Sequence, residues 1–202
     1  MTKIKLCGLS RVEDILTVNG LLPEFIGFIF YPKSKRYITP EKAAALKNLL
    51  NKKISAVGVF VNEKIKTVAE IAKFLDLIQL HGTEDENYIS ELKKFTDKKI
   101  IQAFKIKTAD DLNLAKNSRA DFILLDSGAG TGEIFNWQLL KNFDREYFLA
   151  GGLNVENVSD AVKLLKPFAV DVSSGIETGG VKDAAKMKKF VGTVRGNFYG
   201  DR

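Results

Sequence analysis

Short apolar runs alternate along the chain with longer stretches in which apolar residues recur every three or four positions. The first run covers residues 4–7, and the first amphipathic stretch covers 11–19. Short apolar runs are typical of buried strands, and the three-to-four periodicity is typical of helices. Counting the first, eight runs predict strands, and the other seven lie at 25–30, 56–61, 77–80, 100–104, 122–126, 147–150 and 168–173.

Helical patterns fill the intervals between the predicted strands. Thr39 and Pro40 open one of them well, because threonine caps helix N-termini and proline suits the first helical position. Eight alternating units with short connections predict a parallel sheet that closes into a single (β/α)8 TIM barrel, with residues 1–202 as one domain. An open doubly wound sheet is the alternative. The further helices are predicted at 39–50, 64–74, 85–95, 108–117, 136–142, 155–165 and 182–194.

Candidate chemistry lies where the predicted strands end, since barrel enzymes place their active sites at the carboxyl ends of the strands. The residues at those ends are Cys7, the Phe30-Tyr31 segment leading to Arg36, Asn62, His81, Lys105, Asp126, Gly151-Gly152 and Ser173-Ser174-Gly175.

Composition narrows the function classes. The chain has 202 residues, of which 45% are hydrophobic and 28% charged, as in an ordinary globular domain. Its single cysteine precludes an internal disulfide, no leader pattern precedes the first strand, and no apolar run is long enough to span a bilayer. We therefore expect a cytoplasmic protein without membrane association. The net charge of +6 is scattered, which favours a solvated surface over a nucleic-acid site.

Small residues end the last two strands. Gly151-Gly152 and Ser174-Gly175 can bring backbone N–H groups close to a phosphate, and a helix opening at Leu153-Asn154 would add its dipole. The alternative is that these glycines only form tight turns. A zinc site is not expected, because the chain has one histidine and one cysteine.

A glycine-rich segment follows the sixth strand, but it fails the dinucleotide spacing because position 133 is Glu. With no Walker motif elsewhere, no cofactor is expected, and the segment fits a lid.

Cys7 and Asp126 could act as a thiolate base and a carboxylic acid in a cofactor-free isomerisation. The alternatives are a buried structural cysteine and an aspartate that caps a turn.

Several segments, in order along the whole chain, resemble the phosphoribosylanthranilate isomerase family of tryptophan biosynthesis. They are Lys5-Leu6-Cys7-Gly8-Leu9, Gly27-Phe28-Ile29-Phe30-Tyr31-Pro32-Lys33-Ser34-Lys35-Arg36-Tyr37, Gly58-Val59-Phe60-Val61-Asn62, Gln79-Leu80-His81-Gly82, Leu124-Leu125-Asp126, Gly151-Gly152-Leu153-Asn154, Val170-Asp171-Val172-Ser173-Ser174-Gly175-Ile176-Glu177 and Gly180-Val181-Lys182-Asp183.

The resemblance implies an Amadori rearrangement of a phosphosugar. By family analogy Asp126 is the acid, Cys7 is the base, and Arg36 pairs with the anthranilate carboxylate. His81 and Asp171 are implied as further substrate or orienting contacts, and the phosphate is implied near Gly151, Gly152, Ser174 and Gly175. The family's Phe-Asp-Trp reads Phe135-Asn136-Trp137 here, and we expect Trp137 to pack rather than to touch substrate.

The proposed acid and base start in the wrong protonation states, since cysteine has a pKa near 8.5 and aspartate near 3.9. Lys5 shares the barrel-facing side of the first strand with Cys7, so its charge could favour the thiolate. Alternatively, Lys5 pairs with a carboxylate such as Asp171.

Two rival functions are weighed against this one. The related histidine-pathway isomerase would have an aspartate where Cys7 stands, although bifunctionality stays open. A polyanion-binding protein would need a recognition motif that this sequence lacks. Whether the protein is a monomer or a homodimer is not decided by the sequence.

Overall fold

Eight parallel strands close into a barrel in the computed structural model, which describes residues 1–126, 137–140 and 143–196. Each strand pairs with the next, and β1 also pairs with β8, which closes the sheet. The predicted (β/α)8 barrel is confirmed and the open sheet is excluded. The strands are β1 Lys3–Cys7, β2 Phe25–Ile29, β3 Ser55–Phe60, β4 Leu77–Leu80, β5 Lys99–Lys105, β6 Phe122–Asp126, β7 Tyr147–Ala150 and β8 Ala169–Val172.

Seven helices are described, and the predicted caps of the second are confirmed. Thr39 Oγ1 accepts a hydrogen bond from the backbone N–H of Lys42, and Pro40 occupies the first turn. A short hairpin, β9 Glu177–Thr178 and β10 Val181–Lys182, precedes the last helix. The helices are α1 Val12–Leu21, α2 Pro40–Leu49, α3 Ile65–Ala72, α4 Glu86–Leu92, α5 Ala109–Asn117, α6 Val158–Leu165 and α7 Ala184–Val194.

Three helix predictions need correction, of which the third, at 155–165, begins only at Val158. In the described part of 136–142 the chain forms a 3-10 turn, Trp137–Leu140, and not an α-helix. The helix predicted at 182–194 begins at Ala184, because Lys182 belongs to β10 and Asp183 is the N-cap, its side chain accepting from the N–H of Lys186. The single-domain boundary at 1–202 stays a prediction.

The barrel interior is apolar at one end and polar at the other. Phe25 and Phe148 pack with centroids 5.3 Å apart, and Phe122 stacks on Phe168 at 5.4 Å. Above this aromatic floor lie Lys5, Gln79 and Asp171, all buried. The inward-facing side chains of the strands are therefore apolar near the amino ends and polar near the carboxyl ends. The polar end of the barrel forms the site.

Within the described ranges, no helix combines the length and apolar character needed to cross a membrane. The same residues contain no group of three or more His, Cys, Asp or Glu side chains arranged to hold a metal ion.

Candidate active site

A cavity of about 410 Å³ opens at the carboxyl ends of the strands. It brings together every predicted catalytic and substrate-binding residue except Gly175, which lies directly after Ser174 in the same turn. Of the other strand-end candidates, Phe30, Tyr31 and Asn62 do not line it. A larger recess of about 630 Å³ lies beside α4 and α5 and shares only His81 and Lys105 with the cavity. Because the candidate acid and base line the smaller cavity, we assign the site there. Its lining includes Cys7, Arg36, His81, Asp126, Gly151, Gly152, Asp171 and Ser174.

Cys7 ends β1 and is 5% exposed. A side chain at Gly27, beside it on β2, would place its Cβ 2.5 Å from Cys7 Sγ, so glycine makes room for the thiol. Ser173 Oγ donates a hydrogen bond to the Cys7 carbonyl at 3.1 Å. Burial raises the pKa of the Cys7 thiol, and although the Lys5 charge opposes this effect, the net direction is upward.

Lys5 lies inside the barrel, fully buried, with Nζ 3.0 Å from Asp171 Oδ1. The alternative expectation, a buried pair with Asp171, is therefore confirmed. Burial disfavours the ammonium, but Asp171 and Cys7 outweigh it, so the pKa of Lys5 is raised and the cation persists. The Lys5 charge acts in the direction of the hypothesis, because it lowers the pKa of Cys7, although burial has the larger and opposite effect.

Asp126 ends β6, on the far side of the barrel from β1, and meets His81. The distance from His81 Nε2 to Asp126 Oδ2 is 3.4 Å. Gln79, two residues before His81 on β4, contacts the other ring nitrogen, with Nε2 2.9 Å from His81 Nδ1. No role was predicted for Gln79 from the sequence. A polar residue within an apolar strand, two positions before His81 and so on the same side of the strand, was the signal that it belongs to the site.

Arg36 extends from the loop after β2 into the cavity, where Glu177 holds it. Its Nε and Nη2 donate to Glu177 Oε1 and Oε2 at 2.6 and 2.7 Å. Gly8 permits this course, because a Cβ there would lie 2.6 Å from Arg36 Cδ. Burial would raise the pKa of Glu177, but the hydrogen bonds from Arg36 and Lys182 outweigh it and lower it. Glu177 lies within a family motif, but the sequence did not predict that it would hold Arg36.

The loops after β7 and β8 lie against each other. Gly151 and Gly152 have φ angles of 92° and 63°, so the tight turns expected as an alternative are present. A Cβ at Gly175 would lie 2.0 Å from the carbonyl oxygen of Leu153, which shows how closely the loops approach. Tight turns and close backbone approach coexist here, and both suit a loop that encloses an anion.

The helix expected to open at Leu153-Asn154 begins only at Val158, so that expectation was wrong. The side chains of Asn154 and Asn157 explain the delay. Asn157 Oδ1 accepts from the N–H of Asn154, and Asn154 Oδ1 accepts from the N–H of Asn157, which holds a turn before the helix.

Trp137 packs, half-buried, against the hydrophobic core, as expected. The other predictions for the segment after β6 lie outside the described residues. These are the lid at 127–133 with Gly128, Gly130 and Gly132, and the Phe135-Asn136 pair.

Comparison with known proteins identifies relatives over nearly the full length. The family model for N-(5'phosphoribosyl)anthranilate isomerase matches residues 4–193. A Thermoanaerobacter sp. (strain X514) protein, N-(5'-phosphoribosyl)anthranilate isomerase, is 45% identical over 205 residues, which cover 97% of this chain and 99% of the relative.

Two solved structures, each 37% identical, superpose with a TM-score of 0.87 and cover 97% of this chain and 100% of the other. One is phosphoribosyl anthranilate isomerase in complex with reduced 1-(o-carboxyphenylamino)-1-deoxyribulose 5-phosphate. The other contains monomers of dimeric phosphoribosylanthranilate isomerase from Thermotoga maritima.

Proposed function

This chain belongs to the N-(5′-phosphoribosyl)anthranilate isomerase family, and from that membership we propose that Cys7 and Asp126 carry out the family's reaction in the cavity described above. The reaction is the Amadori rearrangement of N-(5-phosphoribosyl)anthranilate to 1-(2-carboxyphenylamino)-1-deoxyribulose 5-phosphate, a step of tryptophan biosynthesis. The observation that carries the proposal is the convergence of an acid, a base and an arginine on one cavity.

Asp126 acts first, as a general acid. Its proton passes to the ring oxygen of the ribose as the bond from C1 to that oxygen breaks, and the lone pair of the anthranilate nitrogen forms a C1=N bond. The open-chain product is a protonated Schiff base. Asp126 sits at the cavity wall beside His81, whose Nε2 is 3.4 Å away, so a second proton-carrying group adjoins the acid.

Cys7 acts second, as a general base. Its thiolate removes the C2 proton, and the electron pair of that C–H bond becomes the C1=C2 bond of an enolamine while the iminium nitrogen takes the C=N pair. Proton loss from the C2 hydroxyl and protonation of C1 then give the ketoamine. C2 is oxidised and C1 reduced within one molecule, so the reaction needs no external oxidant, reductant or cofactor.

The thiol must lose its proton inside a buried site that raises its pKa. Lys5 supplies the nearest opposing charge, because its ammonium lowers the pKa of Cys7 from within the barrel. Asp171, predicted as a substrate or orienting contact, holds Lys5 in place at 3.0 Å and also lines the cavity. We therefore assign Asp171 to positioning Lys5.

The two ends of the substrate are assigned to different loops. Arg36 binds the anthranilate carboxylate, for which its planar fork is suited. The phosphate binds to backbone N–H groups at Gly151, Gly152, Ser174 and Gly175. The positive φ angles of Gly151 and Gly152 and the close approach of Gly175 to the loop after β7 support an anion site there. His81 is a further contact at the wall between them.

We place the protein in the cytoplasm, because its single cysteine is free and that compartment keeps thiols reduced. We propose either a monomer or a homodimer, and both forms occur among the solved relatives.

The fluorescence of phosphoribosylanthranilate, generated in situ, gives the direct test. We expect fast protein-dependent decay, and a decrease of about 10²- to 10⁴-fold in kcat for Cys7→Ala and for Asp126→Asn, since each removes one positioned proton transfer. Asp144→Asn, an exposed aspartate paired with Lys116, is the matched control and should retain full activity. Absence of decay with the unmodified protein, or full activity in either site variant, would overturn the proposal.

A further inference from the structure

Arg36 offers two donor edges, and Glu177 occupies only one of them. A guanidinium carries five N–H groups in a fixed plane. Glu177 takes the Nε–H and one Nη2–H, at 2.6 and 2.7 Å. The other Nη2–H and both Nη1–H groups have no partner among the described residues, and the Nη2–H and one Nη1–H form a second fork at the end of the side chain. Glu177 therefore fixes the plane of the guanidinium without using the edge that a substrate carboxylate needs.

Lys182 is the third member of this cluster. Its side chain is 3% exposed, and its Nζ donates to Glu177 Oε1 at 2.5 Å, to the Ser173 carbonyl at 2.9 Å and to Ser173 Oγ at 3.2 Å. All three ammonium protons are thus directed at acceptors. The carbonyl of Lys182 accepts from Arg11 Nη2 at 2.7 Å, so the backbone of β10 is also anchored.

The charges of the cluster add up to +1, from Arg36 (+1), Glu177 (−1) and Lys182 (+1). With Glu177 alone, the charge of Arg36 would be cancelled at short range, and a second carboxylate would gain little by approaching. Lys182 shares the Glu177 carboxylate and restores one unit of positive charge. Since the side chains of Lys182 and Glu177 are only 3% and 7% exposed, solvent screens this balance weakly.

We propose that Glu177 and Lys182 are positioning residues that set the specificity for a substrate with a carboxylate on its aromatic ring. Glu177 directs the second fork of Arg36 into the cavity. Lys182 offsets the negative charge of Glu177, so the cluster keeps a net positive charge that attracts a carboxylate. The inference rests on the proposed role of Arg36 in binding the anthranilate carboxylate. It adds two residues that need not touch the substrate and that lie on a segment remote in sequence from Arg36.

Two stable ligands that differ in one group provide the probe. The first is reduced 1-(o-carboxyphenylamino)-1-deoxyribulose 5-phosphate, and the second is its phenylamino counterpart without the carboxylate. Calorimetry gives the Kd of both ligands for the unmodified protein and for Arg36→Met, Glu177→Gln and Lys182→Met. Lys188→Met, an exposed lysine on α7, is the matched control.

We expect Lys182→Met to weaken the carboxylate ligand by about 10- to 100-fold, because it removes a buried positive charge beside the fork. Glu177→Gln should weaken it by a similar factor even though it removes a negative charge, because an amide cannot accept from both Nε and Nη2 and so no longer fixes the plane of the guanidinium. Binding of the phenylamino ligand should change less than about 2-fold, and Lys188→Met should change neither. Equal weakening of both ligands would show a merely structural role and overturn the inference. Unchanged binding of the carboxylate ligand would overturn it as well.

The variants also separate this inference from the proposed function. If Arg36→Met weakens both ligands equally, the assignment of Arg36 to the carboxylate fails. If Arg36→Met is selective but Glu177→Gln and Lys182→Met are not, only the inference fails. Lys182→Met leaves acceptors of Ser173 and Glu177 without their donor. Should this prevent folding, as seen by circular dichroism, the isosteric Glu177→Gln decides the outcome.

Discussion

Gln79 and His81 are joined side by side at the end of β4, with Gln79 Nε2 2.9 Å from His81 Nδ1. Gln79 is 1% exposed, and its Oε1 has no hydrogen-bond partner in the part of the chain that the structure describes. An amide nitrogen can only donate, so Nδ1 accepts and the proton of the neutral ring lies on Nε2. That nitrogen faces Asp126 Oδ2 at 3.4 Å. A buried amide therefore sets which group faces the candidate acid.

We predict that His81 of the free protein carries its proton on Nε2 when the ring is neutral. The chain has one histidine, so ¹⁵N chemical shifts of the imidazole can be assigned without ambiguity. In Gln79→Leu the constraint on the tautomer is lost, and kcat should fall by about 10-fold because proton transfer beside Asp126 is less well oriented. Protonation at Nδ1 in the unmodified protein would show that the Gln79 amide has the opposite orientation.

The reactivity of Cys7 should increase with pH beyond the usual range of a thiol. Burial raises its pKa, so the midpoint of the alkylation rate against pH is expected above that of a free thiol. Iodoacetamide reports only this residue, because the chain has one cysteine. A midpoint below that of a free thiol would contradict the stated balance between burial and charge.

Substitutions at the buried pair should move that midpoint in opposite directions. Lys5→Met removes the cation that favours the thiolate, so the pKa of Cys7 should increase further. Asp171→Asn removes an anion that disfavours the thiolate, so the pKa should decrease. The two variants control for each other, since both break the same 3.0 Å pair. Shifts in the same direction would indicate that lost packing, not charge, governs Cys7.

Gly175→Ala should weaken binding of the phosphosugar. The added Cβ would lie 2.0 Å from the carbonyl oxygen of Leu153, so the loops after β7 and β8 must move apart. We expect KM to increase by about 10-fold or more, since even small misplacements of binding groups are costly. Gly20→Ala is the control, because its Cβ meets no atom within 4 Å in α1, and it should stabilise the helix by about 0.5–1 kcal/mol. An unchanged KM in Gly175→Ala would contradict the proposed phosphate site.

Loss of the α2 cap should lower stability without affecting catalysis. Thr39→Ala removes the acceptor for the N–H of Lys42, at a cost of about 1 kcal/mol in the free energy of unfolding. Urea denaturation of Thr39→Ala and Thr39→Ser gives the measurement, and the serine variant should retain most of the stability. If alanine and serine are equally destabilising, the threonine methyl group matters and the cap does not.

The sequence predicted the barrel well because buried parallel strands and amphipathic helices leave different patterns of apolar residues. The strands at Leu77–Leu80, Phe122–Asp126 and Tyr147–Ala150 were predicted with their observed bounds. The delayed start of α6 was missed, because reciprocal hydrogen bonds between Asn154 and Asn157 compete with helix formation.

The candidate site was predicted less completely than the fold. Strand ends and family motifs indicated Cys7 and Asp126, but the pairing of Arg36 with Glu177 joins residues 141 positions apart. No local pattern reveals such a pair. The protonation of Cys7 likewise depends on a balance between burial and the charge of Lys5, and that balance follows from packing in three dimensions.

Closure of the barrel between β1 and β8 has a consequence for how activity arises during synthesis. Lys5 and Asp171 are separated by 166 positions, and Ser173 reaches back to the carbonyl of Cys7 over the same span. A nascent chain emerges from its N-terminus, so the candidate base is made early and its surroundings last. Until β8 docks, Cys7 lies at an open edge, and Lys5 on the same strand lacks its partner Asp171. Catalytic activity should therefore appear in one step when the final strand is in place. The time at which activity appears then reports when the barrel closes.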